Sequence, residues 1–165
     1  MSKTKEIQTT DQIAKFLSDK DNQKYHYNFC ESEDYKIPSG SLNLDIALGG
    51  GLPNGAHRFT GINEGGKTSC AMTFARNFQK HFGDKGMIIY IKSEGRLSPE
   101  MIERVGIDTD PNKFFCFDCN IFEKVFELIR ELVFQNEDDK RYMFIIDSVD
   151  ALCRVGDIDK PFAES

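Results

Sequence analysis

Residues 61–68 read Gly-Ile-Asn-Glu-Gly-Gly-Lys-Thr. This G-x-x-x-x-G-K-T spacing, that of a P-loop, constrains the fold more than any other stretch, because it is built to sit between a strand that delivers it and a helix that leaves it. The flanks comply. His57-Arg58-Phe59-Thr60 predicts the incoming strand, and the apolar period of residues 69–82 predicts the outgoing helix. Glycines 61, 65 and 66 let the backbone curl, so that successive N–H groups face phosphate oxygens. A helix starting near Gly66 aims its positive dipole end at the same oxygens. Lys67 then reaches the β- and γ-phosphates, and the Thr68 hydroxyl ligates Mg²⁺. The expected phosphate-binding set is Gly61, Asn63, Glu64, Gly65, Gly66, Lys67, Thr68 and Ser69. Within it, Glu64 must turn its charge away from phosphate. A glycine-rich turn that merely precedes Lys-Thr needs neither flank, so the stretch points to nucleoside triphosphate binding.

A chain of 165 residues suits one domain with a full core. The formal charge of −6 argues against a broadly basic nucleic-acid clamp but leaves room for a local basic loop. No apolar run approaches the ~20 residues that span a bilayer. Residues 1–6 (Met-Ser-Lys-Thr-Lys-Glu) are not followed by the apolar core of a signal peptide. The expectation is a cytoplasmic protein with no membrane partner. Its five cysteines, an odd number spread along the chain, then read as reduced thiols. Cys116-Phe117-Asp118-Cys119 has C-x-x-C spacing, but a zinc site needs a second ligand pair, and His26, His57 and His81 are not paired near it. Because the pair lies in the apolar run from Phe114, a structural role in a buried strand is preferred to a redox one.

Along the chain, residues 1–36 read as a polar start, a short helix and an arm. Thr10 or Asp11 can cap a helix whose apolar face is Ile13, Ala14, Phe16 and Leu17. The arm carries Tyr25, Tyr27 and Phe29 among polar residues; these aromatics need burial on this domain or a neighbour, or with Lys24 and His26 could stack on bases. Residues 37–165 form the core domain. Leu42–Leu48 alternates as a strand could, but Ser41 as N-cap and Gly49-Gly50-Gly51 as stop favour a short helix. After the helix with Ala71, Met72, Phe74, Ala75 and Phe78 inward, Met87–Ile91 predicts a strand buried on both faces. Ser98-Pro99-Glu100 opens a helix that closes at Gly106. Strand Phe114–Phe117 precedes a helix over 121–134, capped by Asn120, with an apolar stripe of Phe122, Val125, Phe126, Ile129, Leu132 and Val133. Met143–Ile146 is a third buried strand, ending in Asp147-Ser148. This alternation gives an α/β fold, a parallel sheet with helices on both faces. Ligands in such sheets bind at the carboxyl ends of the strands, where the P-loop, Glu94 and Asp147 all fall.

Asp147, after four apolar residues, fits the second acidic motif of a P-loop NTPase and would hold Mg²⁺ beside Thr68. Ser148 could sense a γ-phosphate or satisfy a backbone group. Glu94 is the candidate general base for an in-line water, with a solvated turn glutamate as the alternative. The segment Ile37 to Gly55, the P-loop, Ser93-Glu94-Gly95-Arg96-Leu97-Ser98-Pro99 and Ile146-Asp147-Ser148, in that order, resemble the RecA family of recombinases, and most of all those of bacteriophages. The resemblance covers about residues 37–155. It implies a RecA-like core, ATP and Mg²⁺ as cofactors, catalytic roles for Glu94 and Lys67, and DNA-dependent ATP hydrolysis. It also implies filament formation on single-stranded DNA and strand exchange in homologous recombination and repair, with the helix and arm packing on the adjacent subunit. Other roles for a RecA-like ATPase are a replicative helicase core, a regulatory ATPase, or an assembly module locked by ATP without catalysis. Lys92 stands where the family commonly has Asp, and could pair with Glu94 or the phosphates. Ser98 and Met101 replace the Asp and Tyr that often meet adenine. DNA-binding loops, a γ-phosphate-sensing glutamine and a strand between the P-loop strand and the Asp147 strand come later in the family. The resemblance therefore implies a core incomplete at its C-terminus, with an unfilled place in the sheet, low stability and weak DNA-dependent hydrolysis.

Overall fold

In a computed structural model, the described residues are 35–158 apart from Arg96 and Glu137, together with Lys15, Phe16 and Ser18. The chain forms two compact units, Met1–Asp34 and Tyr35–Ser165. In the first, Lys15, Phe16 and Ser18 are helical, within the helix expected from Thr10. The remainder of that helix and the arm with Tyr25, Tyr27 and Phe29 lie outside the described residues, as do Cys30 and residues 159–165.

The second unit runs β1 (Lys36–Ile37), α1 (Leu42–Ala47), β2 (Leu52–Pro53), α2 (Lys67–Phe82), β3 (Gly86–Lys92), α3 (Pro99–Val105), β4 (Phe114–Asp118), α4 (Phe122–Phe134), β5 (Arg141–Asp147) and α5 (Val155–Ile158). β1 and β2 make a small antiparallel ribbon. β3 pairs in parallel with β4 on one side and β5 on the other, giving the order β4-β3-β5. Because side chains alternate along a strand, the apolar run of β3 feeds two cores. Ile88 and Tyr90, with Phe114, Met143 and Ile145, pack on Met72, Phe74, Ala75 and Phe78 of α2. Met87, Ile89 and Ile91, with Phe117, Phe144 and Ile146, pack on Val125, Ile129 and Leu132 of α4. Helices therefore cover both faces, as a continuous apolar strand requires.

Local chemistry sets most boundaries as expected. α2 starts after Gly66, whose φ of 86° is left-handed, and buries four of the five inward residues, leaving Ala71 half-buried. Ser98 Oγ accepts the Met101 N–H at 3.1 Å, and Gly106 ends α3 with φ 80°. The helical reading of 42–48 holds, but the cap differs. Ser41 occupies the N-cap without using its side chain, and the turn is held by Asp45, whose carboxylate accepts from the N–H groups of Ser39 (2.6 Å) and Gly40 (3.3 Å). Hydrogen bonding from Ser39, before that from Gly40, holds the Asp45 carboxyl below its usual range.

Five further expectations are corrected. Residues 57–60 are exposed and irregular, not a strand. Among the described residues no strand lies beyond β5, so no ladder is on offer to them. For the same reason β5 is half-exposed along its length rather than buried. Ile121, not Asn120, is the N-cap of α4; the Asn120 carbonyl instead accepts the Cys153 N–H at 2.7 Å, and Phe122 N–H donates to the Cys153 carbonyl at 2.9 Å. The stripe of α4 is wider than its contact, leaving Phe122, Phe126 and Val133 exposed. Finally, Cys116 is exposed on edge strand β4 rather than buried. It lies opposite Tyr90 on the α2 face, whereas Cys119 packs in the α4-side core, so the C-x-x-C thiols are split across the sheet.

Candidate functional site

The carboxyl ends of β3 and β5 meet the start of α2, and the polar groups there are few enough to trace. Thr68, the second residue of α2, donates its hydroxyl to Asp147 Oδ2 at 2.8 Å. Asp147 is the last residue of β5. The same oxygen accepts the hydroxyl of Tyr90 at 2.5 Å. Tyr90 is 1% exposed, and burial first, then its bond to Asp147, pushes its hydroxyl well above the ordinary tyrosine range. It therefore stays a proton donor. Sequence reasoning missed Tyr90, although a signal existed: a tyrosine inside an otherwise apolar strand must find an acceptor for its hydroxyl. Register supplies one. Lys92 lies opposite Asp147, so Tyr90, two residues earlier, shares the Asp147 face.

Glu94 reaches the same rim from β3. The N–H groups of Ser93 and Glu94 both donate to the Asp147 carbonyl, at 3.0 and 3.2 Å. Ser93 Oγ donates to the Ser148 carbonyl at 2.5 Å, and Ser148 Oγ donates to Glu94 Oε1 at 2.6 Å. The Asp147–Ser148 peptide is cis. Glu94 is exposed, while Asp147 and Thr68 are half-buried.

In the loop, the Lys67 ammonium donates to the carbonyls of Gly61 (3.0 Å) and Ile62 (2.9 Å). Two of the three expected glycines are required by geometry. A Cβ on Gly65 would lie 3.0 Å from the Ile62 carbonyl oxygen, and Gly66 is left-handed. Gly61 has room for a side chain, its nearest neighbour being Lys67 Cγ at 4.0 Å. Asn63, Glu64 and Ser69 are exposed, and Glu64 has φ 60°.

Two expectations about charge and base contact change. Lys92 does not meet Glu94; its ammonium pairs with Asp118 at 2.7 Å. Lys92 and Asp118 are direct cross-strand partners, whereas Glu94 lies beyond the end of the strand. Ser98 spends its hydroxyl capping α3, and Met101 packs against the α2-side core.

The donor set suits a hard divalent cation. Thr68 and Asp147 offer oxygen ligands only, and Thr68 directs its proton to Asp147, leaving its lone pairs for a metal. Among the described residues no group of three His, Cys, Asp or Glu could hold a metal alone. A cation here would complete its shell from phosphate and water, the habit of Mg²⁺.

Residues 12–165 match the RecA N-terminal domain. Protein RecA of Saccharopolyspora erythraea and Protein RecA of Mycobacteroides abscessus are each 34% identical over 131 residues, covering 78% of this chain and 36% of theirs. Protein RecA of Aquifex pyrophilus is 30% identical over 133 residues, 78% of this chain and 35% of its own. The chain thus spans about a third of the length of these curated relatives. With a three-stranded parallel sheet between helices and the P-loop, Glu94 and Asp147 on one rim, it belongs to the RecA family, whose N-terminal domain it matches.

Proposed function

We propose that the chain is the ATP- and Mg²⁺-binding core of a bacteriophage-type RecA recombinase in homologous recombination and DNA repair, and that the full-length protein hydrolyses the ATP. The observation that carries this is the 2.8 Å bond from Thr68 to Asp147, which joins the helix after the P-loop to the strand end bearing the acidic motif. Residues Gly61 to Ser69 cradle the phosphates with backbone N–H groups, Gly65 and Gly66 allowing the close approach. Lys67 exchanges two loop carbonyls for β- and γ-phosphate oxygens. Thr68 and Asp147 hold Mg²⁺, which when bound neutralises charge on the phosphate oxygens. Glu94, exposed on the same rim, orients the attacking water and takes its proton.

Single-stranded DNA is bound through loops that come later in the family's sequences, and homo-oligomerisation into a filament uses residues 1–36. The open edge of β5 accepts one further strand, which would bring residues 57–60 into the sheet. No helix among the described residues is long and apolar enough to cross a membrane, and the cytoplasm is the compartment this reading expects.

Glu94→Gln tests it. In the full-length protein, under single-turnover conditions with radiolabelled ATP, hydrolysis falls about 10²–10⁴-fold while ATP affinity is retained. Unchanged hydrolysis removes Glu94 from catalysis, and no hydrolysis in the full-length parent above its Glu94→Gln variant favours an ATP-locked assembly module. In the full-length protein, homologous pairing separates a recombinase from a helicase core or regulatory ATPase.

A further inference from the structure

Ser148 has the place of a helix cap and does not cap. It is the N-cap of the 3-10 turn Val149–Ala151, yet its side chain makes no cap hydrogen bond. A serine at such a position ordinarily spends its hydroxyl on the orphan N–H groups of the turn. Here the hydroxyl crosses to the neighbouring strand end and donates to Glu94 Oε1 at 2.6 Å. The crossing is buttressed. Ser93 Oγ donates to the Ser148 carbonyl, and the N–H groups of Ser93 and Glu94 both close on the Asp147 carbonyl. Four hydrogen bonds thus clasp residues 93–94 to residues 147–148, beyond the last register pair Lys92–Asp147 of the β3–β5 ladder. Glu94 is otherwise an exposed side chain after a strand end, followed by Gly95 with φ 71°. Such a glutamate samples many rotamers, and holding one costs entropy that a short bond to a half-buried partner offsets.

We infer that Ser148 is a positioning residue for Glu94: its hydroxyl fixes the carboxylate beside the rim where Asp147 and Thr68 meet, and Ser93 holds Ser148 in place to do so. This rests on the reading of Glu94 as the base. Ser148 touches neither water nor phosphate in this role; it narrows the orientations of a group that does. Misplacement by about 1 Å can cost up to 10²-fold in rate. Loss of one restraining bond, with the backbone clasp intact, costs about tenfold.

The test measures single-turnover ATP hydrolysis, ATP affinity by calorimetry, and Glu94 side-chain order by NMR of the ¹³C-labelled chain. Ser148→Ala lowers the hydrolysis rate about tenfold, leaves ATP affinity within about twofold and increases Glu94 mobility. Ser148→Thr, which keeps the hydroxyl, restores both rate and order. In the Glu94→Gln background Ser148→Ala has no further effect on rate. Full rate and unchanged Glu94 order in Ser148→Ala, with hydrolysis still lost in Glu94→Gln, overturn the inference and spare the reading of Glu94. Unchanged hydrolysis in Glu94→Gln overturns both. Should Ser148→Ala fail to fold by circular dichroism, Ser93→Ala replaces it: a rate loss with retained affinity supports the clasp, and an unchanged rate overturns it.

Discussion

Removing the hydroxyl of Tyr90 separates the hydrogen bond to Asp147 from everything else the residue does. The ring is 1% exposed in the core between β3 and α2, and Tyr90→Phe keeps its shape and burial. What is lost is one bond to a carboxylate oxygen, a class of bond that contributes about 1.5–3 kcal/mol. Asp147 is half-buried and keeps its bond from Thr68, so the low end applies, about 1.5 kcal/mol or a melting shift of about 3–6 °C. The pH dependence gives a second handle. The folded state holds the Tyr90 hydroxyl neutral far above its ordinary range, while the unfolded chain ionises it near pH 10. A raised folded value means that this contribution is fully present below about pH 10 and is lost as pH rises towards the folded value. The parent chain should therefore lose stability above about pH 10 through this group, and Tyr90→Phe should not. Tyr142, also raised by burial, is common to both proteins and cancels in the difference. The chain has no tryptophan, so urea unfolding at pH 7, 9 and 11 is followed by circular dichroism. Equal stability of the two proteins at pH 7, or a gap that stays constant up to pH 11, rules out this contribution of the Tyr90 hydroxyl.

Two further perturbations probe the frame and the charges around the site. Gly51→Ala places a Cβ 2.4 Å from the Ile37 carbonyl oxygen at a φ of 127°, so the β1–β2 ribbon must distort; a loss of about 1–3 kcal/mol by urea unfolding is expected, and a variant as stable as the parent contradicts it. Lys92→Met removes only the pair with Asp118, whose side chain is 72% exposed, so stability falls by less than about 1 kcal/mol and single-turnover hydrolysis stays within about twofold. A large change in rate restores the Lys92–Glu94 pairing that the sequence suggested.

How far the chain could be read in advance depended on whether the deciding contact was local. The sheet and its helices were legible because continuous apolar runs at 87–91 and 143–146 allow little besides covered parallel strands, and because Ser98, Pro99 and Gly106 punctuate α3 by local rules. Glu94 and Asp147 could be placed on one rim because both follow from the carboxyl ends of neighbouring parallel strands, whereas residues 61–68 reach that rim through the start of α2 and the Thr68–Asp147 bond. The misses needed partners distant in sequence. Asn120 yields the cap because Cys153, far along the chain, takes its carbonyl. Lys92 goes to Asp118 because strand register, which a single sequence does not print, sets them side by side. Residues 57–60 have the composition of a strand and no neighbour to pair with, and composition cannot supply one. Gln79 was overlooked as a polar residue on a helix; it is buried, and its amide binds the backbone of Asp108 and Lys113, fixing the connection into β4.

In the proposed function, Thr68 and Asp147 act as one unit in holding a magnesium nucleotide. A double-mutant cycle tests it most directly, with Thr68→Val, Asp147→Asn and the combined variant titrated calorimetrically with ATP, in Mg²⁺ and in EDTA. Each single change is expected to weaken the Mg²⁺-dependent part of binding about 10–100-fold, with the double variant little worse than the weaker single one. ATP affinity that is the same in Mg²⁺ and EDTA, or two effects that simply multiply, would contradict it.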